Sequence, residues 1–516
     1  MKLYRPPLLR IPILELKHQI HKWVDGARRE QSLISDTTFK FLNQKGDLSQ
    51  LGWNGELPSK LWRYNQHYFD DLNAFNSSSR RHWHYSLIER WISENRLLDG
   101  VGWEPYPTSL RIVNWLKYYL AGSSPNNRQL ESLSAQTEWL SKRLEYHLLG
   151  NHLFANAKAL YFAGCFFDGK NAKRWLKRSR KIINHELTIQ ILDDGGHFEL
   201  SPMYHAIFLE DLLDLINIAH VFGHIDDVVS WSDLIPKMIH WLQAMSHPDK
   251  GISFFNDAAF NVAPSNDEIF SYARRLGFDI KKDKTSTRYL KSSGYVRMET
   301  QKAIVLCDIG KVGPEFLPGH GHADTLSFEL SLYGQRVFVN SGTSEYGISP
   351  ERLRQRGTEA HNTVMINGQN SSEVWSGFRV ARRAYTFDCN VKLNENSKEI
   401  IASHNGYHRL AGKPTHSRSW KLTDHYLEVI DIVSGFFKTC TIFYHLHPEV
   451  DANFIGKNTQ LLSLFWNKSF HTRVFIEGAD AELLNSSWHP EFGISIPTKL
   501  IKLQMNSNKC IMRIEF

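Results

Sequence analysis

Four short segments of this 516-residue chain concentrate side chains that could bind an anion, bind a metal or move a proton. They are Asn151-His152, the run Asp193–His205, the run Pro318–Asp324 and the run Asn340–Val364. The chain also holds 25 histidines, and histidine changes its charge near neutral pH, which suits it to acid–base and metal chemistry. Each segment also has a purely structural interpretation, in which its polar residues cap a helix or face solvent.

The first two segments stand at the starts of predicted helices. Asn151 and His152 open an apolar helical pattern, and the structural interpretation of Asn151 is an N-cap. Tyr204 and His205 follow a glycine-rich turn and Pro202, which predicts a helix end beside a cleft. The structural interpretation of this second segment is a capped helix with polar residues at the surface.

The third and fourth segments contain paired histidines and a run of arginines. His320 and His322 precede a predicted strand, and the glycines beside them let the backbone come close to a ligand. We expect one histidine to face a metal and the other a substrate. Arg352, Arg354 and Arg356 predict a cationic wall for carboxylate or sulfate groups, because a guanidinium binds such groups in bidentate fashion. The alternative is an exposed loop whose arginines pair with nearby glutamates.

The hydrophobic pattern changes its period near residue 290. Before it, apolar residues recur at helical spacing, as in Leu209–Ile218, a pattern that Gly223 ends. After it, Ala303–Cys307 predicts a buried strand, and Leu326–Leu332 alternates and then turns back at Gly334 in a hairpin. The pattern predicts a helical barrel or toroid over residues 1–285, an antiparallel sandwich over residues 286–516, and a polar linker at 281–287.

Composition excludes several classes of protein. With 42% hydrophobic and 22% charged residues the chain is an ordinary folded protein. Its net charge of +7 is too diffuse to predict nucleic-acid binding, although it suits an anionic substrate. The five cysteines contain no CxxC pair, and no apolar run reaches the length of a membrane span. Prolines and an arginine interrupt the N-terminus, so we expect no secretory signal and a cytoplasmic protein, or a periplasmic or surface-associated one if the start is misassigned.

The order of these segments resembles that of the heparinase II/III-like polysaccharide lyases and the related alginate and oligo-alginate lyases. The specific part is Pro318–Asp324, a strand, Asn340–Tyr346 and Ala360–Val364; Trp103–Pro107 and Arg111–Trp115 are similar to the family's helical half. The resemblance covers most of the chain. It implies a multidomain α+β protein with an N-terminal incomplete (α/α) toroid followed by a C-terminal antiparallel β-sandwich.

The resemblance also implies β-elimination at a uronic acid within an acidic polysaccharide. Such an enzyme neutralises the sugar carboxylate, removes the C5 proton with a base and protonates the leaving oxygen with an acid. By resemblance, Asn151 and His152 neutralise the carboxylate and handle protons. Tyr204 is the catalytic tyrosine, acting as base or acid according to the sugar's stereochemistry, and His320 is a further catalytic histidine.

Aromatic and cationic side chains are expected to bind the polysaccharide, since sugars stack on rings and present anions to guanidinium groups. The predicted substrate-binding residues are Trp62, Tyr64, His67, Trp103, His205, Tyr346, Arg352 and Arg356. For each ring, the structural alternative is packing in the core between helices.

A divalent metal, with zinc preferred over calcium, is implied at His322, Asn340 and His361. The two histidines match the family's ligands, and a neutral imidazole pair suits zinc. Asn340 departs from the aspartate that the family often has. Since an amide is a neutral and weaker ligand, the departure lowers the charge and the zinc affinity of the site.

Two other functions remain open. A glycoside hydrolase on a helical toroid would need two facing carboxylates, for which Asp194, Glu199 and Glu210 are candidates. A non-catalytic polysaccharide-binding or assembly factor would bind the polymer without turnover. The pair Asn256-Asp257 resembles a family loop and carries no assigned role.

Overall fold

The computed structural model describes residues 11–12, 14–56, 59–280, 287–395, 397–456, 460–466 and 470–516, which form two compact units. Unit 1 comprises the described residues within Met1–Gln190, Ile207–Pro236 and Asp267–Ile280. Unit 2 comprises those within Ile191–Ala206, Lys237–Asn266 and Lys281–Phe516. The predicted boundary at 285/286 and, apart from Thr287, the predicted linker lie outside the described residues.

The part of the chain before residue 280 is mainly helical, apart from the hairpin of β1 (Thr38–Phe41) and β2 (Gln44–Asp47). The helices are α1 (Leu48–Leu51), α2 (Lys60–Tyr68), α3 (Arg81–Glu94), α4 (Pro105–Leu120), α5 (Asn127–Ser141), α6 (Gly150–Phe166), α7 (Lys170–Gln190), α8 (Pro202–Val221), α9 (Ile225–Ser232), α10 (Ile235–Ala244) and α11 (Asn266–Arg275). Within the described residues, none is long and apolar enough to cross a membrane.

Local sequence explains where these helices begin and end. Pro105 occupies the first turn of α4, where its missing N–H costs nothing, and Asn126 and Gln129 form a capping box on α5. Gly223 follows α8 with φ of +72°, the left-handed conformation that ends a helix most easily in glycine. The helix predicted over 209–218 is therefore confirmed, with Gly223 as its stop.

The part of the chain after residue 287 is built of strands, with one short helix, α12 (Pro350–Arg356). The strands are β3 (Arg288–Leu290), β4 (Tyr295–Glu299), β5 (Ala303–Asp308), β6 (Phe328–Leu332), β7 (Gln335–Phe338), β8 (Val364–Ile366), β9 (Val374–Trp375), β10 (Arg379–Val380), β11 (Thr386–Leu393), β12 (Lys398–His404), β13 (Thr415–Leu422), β14 (Tyr426–Ser434), β15 (Cys440–His445), β16 (Asp451–Phe454), β17 (Leu461–Trp466), β18 (Phe470–Glu477), β19 (Ala479–Trp488), β20 (Ile496–Met505) and β21 (Lys509–Glu515).

Within the described residues, the paired strands β1–β21 are antiparallel, as predicted. An eight-stranded sheet has the order β11-β12-β13-β14-β21-β18-β17-β16, a four-stranded sheet β19-β20-β15-β8, and a five-stranded sheet β3-β4-β5-β6-β7. The predicted buried strand is β5, and the predicted hairpin is β6–β7 with Gly334 at φ of +85° in its turn. One apolar core joins the three sheets, and on β13 and β14 every second residue points into it.

Two segments predicted to belong to the helical half, Ile191–Ala206 and Lys237–Asn266, lie in unit 2. The reason is a second apolar cluster on the five-stranded sheet. Leu200, Trp241 and Phe255 pack there against residues of β4 and β5, Tyr295 and Leu306. The first turn of α8, which carries Tyr204 and His205, thus falls in the same unit as the sandwich.

Candidate active site

A buried carboxylate, Asp257, is the centre of the polar residues of unit 2. Arg352 donates to both of its oxygens, with Nη2 at 2.7 Å from Oδ2. His320 Nδ1 lies 2.8 Å from Oδ2, and His322 Nε2 lies 2.8 Å from Oδ1. Burial raises the pKa of Asp257, but Arg352 and the two histidines outweigh this and hold its pKa well below the usual range. An ionised carboxylate only accepts, so both histidines donate to it through the nitrogens that face it.

The rings of Tyr204 and Tyr346 lie next to the ring of His320. The ring centroids of Tyr204 and His320 are 4.1 Å apart, and the two phenol oxygens are 2.9 Å apart. Burial raises the pKa of each phenol well above its usual value, and the charge of Asp257 raises it further. Both tyrosines therefore rest as neutral phenols, which makes Tyr204 a proton donor in its resting form.

The start of α8 positions Tyr204. Ser201 precedes Pro202, and its hydroxyl accepts from the backbone N–H of Tyr204 at 3.2 Å. The same hydroxyl donates to the backbone oxygen of Asp257. Ser201 therefore connects the first turn of α8 to the loop that carries Asp257. This places the predicted helix end beside the central carboxylate.

Glu199 is a buried carboxylate on the far side of His320. Its Oε2 lies 3.7 Å from His320 Nε2, the nitrogen that does not face Asp257, and the residue is 2% exposed. In the sequence, Glu199 lies between the glycine-rich turn and the start of α8. Glu199 entered only the hydrolase alternative, and Asp257 had no assigned role, although its family-like loop was a signal that could have identified it.

Arg352 and Arg356, predicted to bind substrate, are both 0% exposed. They are four residues apart on α12, so they share one face of that helix, and the face points inward. Arg356 donates to the Gly321 oxygen at 2.9 Å, beside the two site histidines. Arg354, on the other face, pairs with Glu351 at 2.7 Å. The predicted cationic wall is thus divided between two internal arginines and one surface ion pair.

His205, also predicted to bind substrate, lies in the core of unit 2. Its Nε2 is 2.9 Å from the Met238 oxygen, and its ring packs on Trp241 with centroids 4.4 Å apart. Burial lowers its pKa to about 3, so it stays neutral. The next residue along a helix from Tyr204 points about 100° away from it, which accounts for the different surroundings.

Asn151 and His152 belong to unit 1, at the start of α6. The N-cap of that helix is Leu149, so the structural interpretation of Asn151 as the N-cap is wrong. His152 Nδ1 lies 3.2 Å from Glu145 Oε1, and its ring is 4.5 Å from that of Tyr106. The side chain of His152 is 32% exposed. Joint action of these two residues with Tyr204 and His320 stays a prediction.

The aromatic residues predicted to line a cleft in unit 1 are mostly interior. Trp62, His67 and Trp103 are 1%, 0% and 5% exposed, which agrees with core packing. His67 Nε2 lies 3.0 Å from the Trp53 oxygen, and burial lowers its pKa to about 3. Tyr64 is half-buried and donates to Glu104.

Two ring nitrogens face each other where a metal is predicted. His322 Nδ1 lies 3.3 Å from His361 Nε2. Two imidazole ligands at ~2.0–2.1 Å from a tetrahedral zinc would be ~3.3 Å apart. Burial lowers the pKa of both rings, that of His322 to about 4, and keeps them in the neutral form that binds metal.

The third predicted ligand, Asn340, is fully buried, and its Oδ1 accepts from the backbone N–H of Asn362 at 3.3 Å. Its Nδ2 has no hydrogen-bond partner within the described residues. Over those same ranges, no group of three or more His, Cys, Asp or Glu side chains could hold a metal. The structure therefore brings two imidazoles together, and the oxygen of the predicted amide ligand already accepts a hydrogen bond.

The three carboxylates of the hydrolase alternative have different partners. Asp194 accepts from the backbone N–H and the hydroxyl of Ser293, at 2.7 and 2.9 Å. Glu210 lies in unit 1, where Arg29 donates to it at 2.6 Å. Of these three carboxylates, Glu199 is the one that contacts His320, whose ring also packs against Tyr204. The contacts within unit 2 therefore fit acid–base chemistry by imidazole and phenol.

Two family profiles match the chain. One, "Heparinase II/III N-terminus", matches residues 110–274, and the other, "Heparinase II/III-like, C-terminal", matches residues 282–516. A heparin-sulfate lyase from Bacteroides stercoris is 30% identical over 255 residues, which cover 45% of this chain and 38% of that protein. A heparin-sulfate lyase from Pedobacter heparinus is 29% identical over 273 residues, covering 47% and 39%. The match thus spans well under two thirds of the length of these relatives.

Solved structures share the fold. A crystal structure of heparinase III superimposes with a TM-score of 0.70 at 18% identity, covering 87% of this chain and 76% of that one. At this identity the likeness concerns the fold alone. It confirms the predicted α+β class, a helical toroid followed by an antiparallel β-sandwich.

Proposed function

The chain belongs to the heparinase II/III-like family, and from that premise we propose that it is a polysaccharide lyase, which cleaves a uronic-acid-containing polysaccharide by β-elimination. The observation that carries the proposal is the contact of Tyr204 with His320, whose other side is anchored on Asp257. Elimination needs one group that accepts a proton and one that donates a proton, within reach of neighbouring atoms of one sugar. A neutral phenol packed against an oriented imidazole meets that need.

In the proposed reaction, His320 takes the proton from C5 of the uronate. Its Nδ1 donates to Asp257, so its Nε2 carries the lone pair that can accept this proton. The electron pair of the C5–H bond forms the C4–C5 double bond as the C4–O bond breaks. Tyr204 donates its phenol proton to the leaving oxygen.

The sugar carboxylate has to be neutralised for the C5 proton to become acidic, since negative charge flows into that group as the proton leaves. Asn151 and His152 are proposed for this role by resemblance. We assign Arg352 and Arg356 a positioning role instead of the predicted contact with substrate, because both are internal and hold the loops that carry Asp257 and His320. Tyr346 keeps its predicted place at the substrate as the hydrogen-bond partner of Tyr204.

A panel of acidic polysaccharides tests the proposal, with heparan sulfate first because the curated relatives carry the name heparin-sulfate lyase. We expect absorbance of an unsaturated uronate to grow with at least one polymer. Cleavage without a double bond would instead identify a hydrolase. Tight binding without turnover across the panel would identify a polysaccharide-binding or assembly factor.

We also propose one divalent metal, zinc before calcium, held by His322, His361 and Asn340. It would supply a structural cross-link between the loops of the two histidines. Elemental analysis of the purified protein should find the metal in stoichiometric amount, and Asn340→Asp should retain it against a chelator better than the parent does, because a carboxylate is a stronger ligand than an amide. Absence of stoichiometric zinc and calcium from both proteins would refute the site.

A further inference from the structure

Two large aromatic side chains of unit 2 are exposed on the β9–β10 hairpin. Trp375 is 55% exposed and Phe378, in the turn, is 40% exposed. Scattered apolar residues at a surface are common, but two exposed rings within four residues of one hairpin make it a candidate ligand-binding surface. Neither residue is part of the four segments that the sequence singled out.

The turn adjoins the candidate active site. The ring centroid of Phe378 is 5.8 Å from that of His320 and 5.1 Å from that of Tyr346. A ligand that covers the exposed part of Phe378 would therefore lie next to the proposed base and to the partner of the proposed acid. These distances are of the order of one sugar ring, so the patch suits a sugar that neighbours the reacting one.

The two internal arginines fix the turn in place. Arg352 Nε donates to the Gly377 oxygen at 3.1 Å, and Arg356 donates to the Ser376 and Arg379 oxygens at 3.2 and 3.3 Å. A side chain at Gly377 would collide with the backbone oxygen of Gly347, 2.3 Å from its Cβ position. Arg352 also binds Asp257, so the turn and His320 are positioned by a single guanidinium.

The charge beside the rings identifies the class of ligand. Arg379 is directly opposite Trp375 in the hairpin register, so their side chains share a face of the ribbon. Arg379 is exposed, and within the described residues its guanidinium forms no ion pair. Exposed rings beside an uncompensated cation match a sugar that carries a carboxylate or a sulfate, because its C–H face stacks on a ring and its anion binds the guanidinium.

We propose that the β9–β10 turn is an anionic-sugar subsite, in which Phe378 and Trp375 stack on a sugar next to the cleaved bond and Arg379 binds its charged group. The subsite rests on the proposed function, since it names where the same polymer binds. Phe378 does not contact the reacting atoms in this arrangement. Its loss should therefore raise KM and the dissociation constant while kcat changes little.

Equilibrium binding of a heparan sulfate hexasaccharide tests the subsite in the Tyr204→Phe background, where turnover does not interfere. Phe378→Ala should weaken binding about 5- to 20-fold, and Phe378→Tyr, which keeps a ring, should restore it. Arg379→Gln alters only an exposed side chain and should weaken binding about threefold, with a smaller dependence on salt. Phe436→Ala, at a phenylalanine 68% exposed beside Gly412, is the matched control and should bind like the parent.

Binding by Phe378→Ala and Arg379→Gln within twofold of the parent would overturn the subsite, and so would an equal loss in the Phe436 control. Absence of binding to the parent across the acidic panel would overturn the subsite together with the proposed function. Binding that depends on Phe378 in a protein that yields no unsaturated product would overturn the lyase proposal alone and leave the subsite standing.

Discussion

Unit 2 contains two buried aspartates of similar surroundings. Asp257 accepts from Arg352 and contacts His320 and His322, as described above. Asp431, on β14, accepts from Arg418 Nε at 2.7 Å and Nη2 at 3.0 Å, and lies 2.7 Å from His416 Nε2. In both clusters burial raises the pKa of the carboxyl, but the arginine and the histidines together outweigh it and keep the carboxylate ionised.

The clusters differ in what remains after these contacts are made. Arg418 also donates to the backbone oxygens of Leu326 and Asn362. The second ring nitrogen of His416 lies 3.1 Å from a ring nitrogen of His404. The side chains of Arg418, His416, His404 and Asp431 are all buried in the sandwich. The His320 side chain is 15% exposed, and its Nε2 has Glu199 only at 3.7 Å. A buried ion cluster whose donors and acceptors are all used can only stabilise, whereas one that leaves a nitrogen available can react.

The largest difference between the two clusters is expected in kcat, when the tyrosine of each cluster, Tyr204 or Tyr444, is replaced by phenylalanine. Tyr204→Phe should lower kcat about 10²- to 10⁴-fold, because the proton for the leaving oxygen is lost, while the thermal unfolding temperature stays close to that of the parent. Tyr444→Phe removes a phenol that lies 3.4 Å from Asp431 and should retain full kcat. Rates of unsaturated product formation and thermal unfolding of both variants provide the measurement. A fully active Tyr204→Phe would remove this residue from the mechanism.

The next effect concerns stability. Asp431→Asn should lower the free energy of unfolding by about 3–5 kcal/mol, because it leaves the buried Arg418 without a counter-charge. Its folded fraction should still form product at the parental rate. Asp257→Asn should lose both stability and activity, since His320 loses its anchor.

Urea unfolding followed by tryptophan fluorescence measures the first effect, and activity per folded molecule measures the second. Glu399→Gln is the control, because its ion pair with Lys421 has both side chains 41% exposed, so its loss should leave the free energy of unfolding nearly unchanged. If Asp431→Asn abolished activity per folded molecule, the division between a stabilising and a reactive cluster would fail.

The site residues predicted from the sequence and those that were missed differ in how far apart in the sequence the residues that identify them lie. Tyr204 and His320 stood in motifs whose residues are neighbours along the chain. Asp257 contacts His320, His322 and Arg352 across 63, 65 and 95 residues, so its central position follows from contacts that are distant in sequence. The local sequence offered only the resemblance of its loop to the family. The strands were predictable for the same reason, since alternation on β13 and β14 is a property of adjacent residues.

Exposure was the other quantity that the sequence left open. Trp62 and Trp375 are the same residue type, yet one is 1% and the other 55% exposed. Their burial depends on distant partners: Trp62 contacts Phe41 and the oxygen of Gln44, whereas Trp375 lies on a two-stranded ribbon. Residues predicted to line an aromatic cleft therefore lie in the core, and the exposed rings Trp375 and Phe378 of unit 2 were not predicted.

Acid unfolding should reveal Asp431 as a source of stability. Burial raises its pKa, but Arg418 and His416 lower it to about 2, below the ~3.9 of an unfolded chain. Since the folded pKa is depressed, this stabilisation is complete above pH ~4 and is lost as the pH falls toward 2. It amounts to about 2–3 kcal/mol. The difference in unfolding free energy between the parent and Asp431→Asn should accordingly shrink when urea unfolding is repeated at pH 5, 4 and 3; a constant difference would contradict the depressed pKa.

The smallest effect belongs to the hydroxyl of Tyr346, which makes a single hydrogen bond to Tyr204. Tyr346→Phe should lower kcat about 3- to 10-fold, in proportion to one hydrogen bond of about 1 kcal/mol. Besides burial, Tyr346 raises the pKa of Tyr204, so its removal should lower that pKa and move the alkaline limb of the pH–rate profile to lower pH. Tyr333→Phe, at an exposed tyrosine stacked on Phe470, should leave the profile unchanged. A reduced kcat with an unmoved alkaline limb would mean that the Tyr346 hydroxyl only orients Tyr204 through their hydrogen bond. The shift would show that the hydroxyl also tunes the proton that Tyr204 donates, which distinguishes this cluster from the saturated cluster of Asp431.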